Sequence, residues 1–152
     1  MAGTVEYFSS KEQLIERVKT MLAGNSEPDM MISGVWTKSL YEDIFQLIME
    51  KQSCSSCRVI IPKLIFKGDI SLILLRNICK AEGRVRVNNA VTNNLLIIDG
   101  NVFILSFSSR LSSLNILSTS FECAVMLDDK EIVDRIKTQF TDIFENSVPF
   151  RM

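Results

Sequence analysis

Few residues in this sequence could do chemistry, and most of them fall in its second half. Arg84 and Arg86 alternate in the run Arg-Val-Arg-Val. Strand residues two apart share a face, so this spacing would set two cations side by side, as suits a phosphate or a carboxylate. Thr92 and Asn94 share a face by the same rule and offer hydrogen bonds without charge. Asp99 and Glu122 are carboxylates of the kind that serve acid–base catalysis. Cys54-Ser55-Ser56-Cys57 has the spacing of a redox pair or of half a zinc site. The chain contains no histidine, so any nucleophilic or metal chemistry would have to proceed without an imidazole.

Each of these groups has a plainer reading. Structural zinc sites use four ligands, and the second pair is missing, because Cys79 falls in a helical run and Cys123 in a strand-like one. No metal and no cofactor are therefore expected. Cys54 to Cys57 reads as a reduced surface loop, with Cys79 and Cys123 as small core residues. Arg84, Arg86 and Arg110 suit the solvated face of a half-buried strand. Asp99 is accounted for by an Asp99-Gly100 hairpin turn, and Glu122 by orienting a neighbouring strand or loop. Trp36 is read as a core or interface aromatic, with a stacking platform as the alternative.

Composition narrows the class. Hydrophobic residues make up 47% and charged ones 23% of 152 residues, which is globular and enough for one domain with a substantial core. A net charge of −1 and a pI near 5.5 draw the domain as a whole neither to nucleic acid nor to an acidic membrane. No apolar run approaches the roughly 20 residues of a membrane-spanning helix, and the first residues lack a basic and an apolar leader region. A cytoplasmic location is expected.

The elements that would position these residues follow from periodicity. Ser9 or Ser10 caps a helix whose apolar face is Leu14, Ile15, Val18, Met21 and Leu22, stopped by Gly24-Asn25. Met30 to Trp36 is a continuous apolar run of strand length, hence a buried central strand. Thr37 or Ser39 caps a helix carrying Leu40, Ile44, Leu47 and Ile48, and Arg58 to Pro62 is the second core strand. This β-α-β order implies parallel neighbours and a right-handed crossover. A broadly apolar helix spans Ile70 to Ala81. Strands follow at Val85–Val87, Leu95–Ile98, Val102–Leu105 and Cys123–Leu127. A last helix opens at Asp128-Asp129, where the helix dipole favours carboxylates, and buries Ile132, Val133, Ile136, Phe140, Ile143 and Phe144. The fold class is α/β, a mixed sheet flanked by helices.

From Arg84 to Leu127 this layout resembles one half of a phospholipase D-type phosphodiesterase. In that family a strand carries His-x-Lys-x4-Asp, usually followed by Gly. A strand ending in Gly-Ser-x-Asn comes next, and then a Glu that opens the last strand before the closing helix. Aligning on Asp99-Gly100 places Thr92 at the histidine and Asn94 at the lysine. Ser106-Phe107-Ser108-Ser109 falls on Gly-Ser-x-Asn, and Glu122 on the late glutamate. The first part is also similar to the sensor domain of archaeal sugar-responsive transcription regulators.

The resemblance implies a single phospholipase D-like domain over residues 1–152. Its chemistry needs an imidazole to attack phosphorus and a cation to hold the phosphoryl oxygens, and Thr92 and Asn94 supply neither. The expectation is a noncatalytic binding or regulatory module. Members with one half tend to pair so that two motif strands face each other, which implies a homodimer. In the inferred fold Asn88, Asn89, Thr92, Asn94, Ser106 and Ser108 would form a polar, uncharged groove with Arg84, Arg86 and Arg110 at its mouth, taking a small polar or phosphorylated ligand, or the module would take a protein partner. Asp99, Gly100 and Glu122 are structural remnants of the motif. The alternatives are a nucleic-acid-binding accessory protein and a phosphodiesterase with a rearranged site.

Overall fold

The computed structural model describes residues 3–25, 27–34, 36–51, 57–61, 84–91, 93–111 and 117–149. Its strands are β1 (Val5–Phe8), β2 (Met30–Ser33), β3 (Cys57–Ile61), β4 (Arg84–Val87), β5 (Leu95–Ile98), β6 (Asn101–Leu111), β7 (Leu117–Leu127) and β8 (Val148–Pro149). The helices are α1 (Lys11–Ala23), α2 (Lys38–Lys51) and α3 (Lys130–Glu145). The eight strands form one mixed sheet in the order β1-β7-β6-β5-β2-β3-β4-β8. β2, β3 and β4 run parallel, and the other neighbours are antiparallel.

Helix boundaries follow from capping. Ser10 accepts the Gln13 N–H at 3.3 Å, and the Gln13 amide oxygen accepts the Ser9 N–H at 3.1 Å. This reciprocal arrangement fixes the start of α1 and stabilises it by about 1 kcal/mol. Asp129 caps α3 by accepting the Ile132 N–H at 3.0 Å. Asp128, beside it, turns away and accepts both the N–H and the hydroxyl of Thr4, tying the chain's start to the end of β7.

Two apolar layers enclose the sheet. Leu14, Val18 and Leu22 of α1 and Leu40, Tyr41, Ile44, Phe45 and Ile48 of α2 pack on Ile32, Val59, Leu96 and Phe103. On the other face Val133, Phe140 and Phe144 of α3 pack on Met31, Ile60, Ile97 and Val102. β2 lies under both layers and all four of its residues are buried, as its unbroken apolar sequence predicts. Each fully buried aliphatic or aromatic side chain contributes about 2 kcal/mol of transfer free energy.

Several expectations change. β2 ends at Ser33 rather than continuing to Trp36, because Gly34 takes φ +112°, a left-handed conformation that favours glycine. Trp36 then folds back with its indole N–H on the Ser33 carbonyl at 2.9 Å and stacks on Tyr41 at 4.9 Å. It is a core aromatic, 2% exposed. Cys57 is not a surface-loop residue: it opens β3 opposite Met30 and is buried. Cys123 is half-exposed rather than a core residue. β1 and β8 are strands that periodicity did not indicate. The expected helix at Ile70–Ala81, Cys54 and Cys79 lie outside the described residues.

Candidate functional site

The ends of β2, β4 and β5 meet around the segment Asn88–Asn94. Asn88 organises it. Its N–H donates to the Ile61 carbonyl at 2.9 Å, its side-chain oxygen accepts the Ala90 N–H at 2.9 Å, and its side-chain amide donates to the Ser147 hydroxyl at 3.3 Å. Such a side-chain turn is what asparagine does well. The Ser33 hydroxyl donates to the Asn93 carbonyl at 3.2 Å, and the Leu105 N–H donates to the Asn94 carbonyl at 2.9 Å. The segment is therefore held by three strands.

Between this segment and α3 lies a cavity of about 210 Å³. Its polar lining is Ser33, Asn88, Asn93 and Gln139, and its apolar lining includes Ile60, Val91, Leu95, Ile136 and Phe140. Ser33 is 2% exposed and sits at the floor, whereas Asn93 and Gln139 are exposed at the rim. Among the described residues every lining side chain is uncharged. The cavity can donate and accept hydrogen bonds around a small molecule and offers no ionisable group for proton transfer.

Among the described side chains, the arginines that face this side of the sheet, Arg58 and Arg86, are committed to α3. Arg86 donates to the Phe144 carbonyl at 3.0 Å and lies 4.4 Å from the centre of the Phe144 ring. It places a cation at the C-terminal end of the helix dipole. Arg58 lies over Phe140 at 5.9 Å, with Asp29 at 4.0 Å. The side chains of Arg84 and Arg110 lie outside the described residues.

A second feature adjoins the cavity. Register places Tyr7, Val125, Ile104 and Leu95 in one row across β1, β7, β6 and β5. Away from the Leu95 end of that row the apolar groups are open, with Tyr7 66% and Ile104 42% exposed. The Cys123 side chain beside Tyr7, through electrostatic repulsion of the phenolate and then a hydrogen bond, raises the phenol above its ordinary range.

No family model matches the sequence, and no curated protein matches it. Solved structures do match. The phospholipase D family member Nuc from Salmonella typhimurium superposes with a TM-score of 0.65 at 12% identity, covering 99% of both chains. NucT from Helicobacter pylori gives 0.66 at 13%, over 97% of this chain and 99% of that one. The archaeal chromatin protein TrmBL2, whose structure shows a novel mode of DNA binding, gives 0.65 at 15%, over 97% of this chain and 55% of its own. The chain has a phospholipase D-like fold.

In this fold the motif positions separate into two groups. Asn94, which the sequence resemblance aligns with the family's lysine, lies beside Leu105 and thus next to Ser106, whose hydroxyl donates to Glu122 at 3.3 Å. Ser108 pairs with Ser120 at 3.0 Å. These residues stand at one end of the sheet. Asp99 stands at the other, beyond the full length of β5, about 17 Å away at the usual strand rise. It takes φ 52° and accepts from the Asn25 amide at 2.9 Å and the Asp29 N–H at 3.0 Å. Asp99 and Glu122 do not form a pair. Thr92 lies outside the described residues, and Asn89 is exposed.

Ser33, Asn93 and Gln139 enter the site without having been picked out by sequence. Two signals were present. Ser33 is a hydroxyl at the end of an apolar run, and Gln139 interrupts the apolar stripe of α3 one turn after Ile136. Among the described residues no group of three metal-ligating side chains gathers, and no helix is long and apolar enough to cross a membrane.

Proposed function

We propose that the chain is a noncatalytic, homodimeric phospholipase D-like module that binds a small, neutral polar ligand in the cavity between Asn88–Leu95 and α3. The observation that carries this reading is the uncharged lining, Ser33, Asn88, Asn93 and Gln139. Four hydrogen-bonding groups among apolar walls suit a ligand with several hydroxyl or amide groups and one apolar side. A phosphorylated ligand is less well served, because Arg58 and Arg86 are held against α3. The open apolar row of Tyr7 and Ile104 is available to a protein partner.

Native mass spectrometry of the purified protein tests this reading. A small organic adduct that disappears in Asn93→Leu and Gln139→Leu supports it. Turnover of a generic phosphodiester would replace it with an enzyme that uses a rearranged site.

The likeness to TrmBL2, described as binding DNA, favours a second reading, a nucleic-acid-binding accessory protein. Binding that weakens steeply with salt and is lost in Arg84→Ala with Arg110→Ala would favour it over the first.

A further inference from the structure

The apolar runs predict strands only over Val102–Leu105 and Cys123–Leu127. Instead β6 runs on to Leu111 and β7 begins at Leu117, so the two strands leave the sheet as a paired ribbon. β5 accompanies β6 only to Ile104, with one further bond from Leu105 to Asn94. β1 accompanies β7 only from Ala124 onward. No described strand pairs with the outer edge of β7 from Leu117 to Cys123. The ribbon is nonetheless well built. Its ladder is regular from Phe107 opposite Phe121 to Leu111 opposite Leu117. The Phe107 and Phe121 rings meet edge to face at 6.0 Å, and the Ser108 and Ser120 hydroxyls meet at 3.0 Å.

An open strand edge is a template for another strand, and edges that must stay free usually carry lysine, proline or another charge. Leu117-Ser118-Thr119-Ser120-Phe121 carries none of these. Glu122 falls at the register shift, outside the regular ladder. The segment is also a chemical palindrome: outward from Thr119 come two serines, then leucine on one side and phenylalanine on the other. Antiparallel pairing about a twofold axis at Thr119 sets Ser118 opposite Ser120 of a second copy and Leu117 opposite Phe121. The register thus opposes like residue types and no like charges.

We infer that the β7 edge of the ribbon is an isologous interface at which two copies of this chain join their sheets through Leu117–Phe121. The inference rests on the homodimeric reading above and gives that dimer a location. It is independent of what the cavity binds.

Thr119 would meet its own copy on the axis, so Thr119→Lys and Thr119→Glu each oppose two like charges. Light scattering on a sizing column should give twice the chain mass for the unsubstituted protein and the single chain mass for either variant. An equal mixture of the two variants should return to twice the chain mass. Hydrogen exchange needs no variant: the amides of 117–121 should be protected at high protein concentration and exchange faster on dilution. An unsubstituted protein that is monomeric overturns both dimer and interface. A dimer that survives both Thr119 substitutions, or exchange at 117–121 that ignores concentration, overturns this interface alone.

Discussion

Gly34 lies against Asn94 so closely that a methyl group on it would fall on the Asn94 side-chain oxygen and come within 2.5 Å of the Asn93 carbonyl oxygen. The end of β2 and the start of β5 are thereby pressed together at the floor of the candidate site. Gly34 also carries the left-handed φ of +112° that ends β2. Gly34→Ala should cost about 3 kcal/mol through backbone strain and overlap together. Urea denaturation measures the loss, and binding in the cavity should fall with it.

Arg86→Met should destabilise the fold by about 2 kcal/mol, because a charge-assisted bond to the Phe144 carbonyl and a ring contact are lost together. If Arg86 served a ligand instead, the substitution would weaken binding while leaving the denaturation midpoint unchanged.

Asp99→Ala removes the acceptor of the Asn25 amide and the Asp29 N–H and leaves a non-glycine residue at positive φ. A loss of about 2 kcal/mol is expected. Ligand binding should not change in the folded protein, since Asp99 is at the far end of β5 from the cavity. A calorimetric titration of the ligand identified by mass spectrometry separates the two effects.

Acid should release the first strand. The Thr4 hydroxyl and N–H donate to Asp128 and hold its carboxyl below the usual aspartate range. A depressed folded-state pKa contributes stability above the unfolded value, about 3.9, and that stability is lost as pH falls through the folded value. Amides 5–8 should therefore lose protection against hydrogen exchange below about pH 4. Asp128→Asn should weaken that protection at neutral pH and remove its acid dependence.

Much of the fold could be read from the sequence, because α1, β2, α2, β5 and α3 each carry their own periodicity or cap. What could not be read depends on partners distant in the chain. β1 is four residues long and becomes a strand by pairing with Val125 and its neighbours and by the Thr4–Asp128 bond, groups more than 110 positions away. Cys57 follows a polar stretch that reads as loop, yet pairing with Met30 draws it into the core. The ribbon is serine-rich and lacks the β-branched runs that mark the other strands. Asn88 was visible as a candidate within an asparagine-rich stretch. Ser33 and Gln139 join it only once β2 and α3 are packed on opposite sides of the same cavity.

The central claim is that an uncharged cavity holds a small neutral molecule where the fold's relatives by structure include phospholipase D family members. The native mass spectrum of the purified chain tests it most directly. A metal-free species carrying an organic adduct, lost in both Asn93→Leu and Gln139→Leu, is the predicted result. A chain that carries no adduct, or one whose adduct is a phosphate compound retained by both variants, would contradict it.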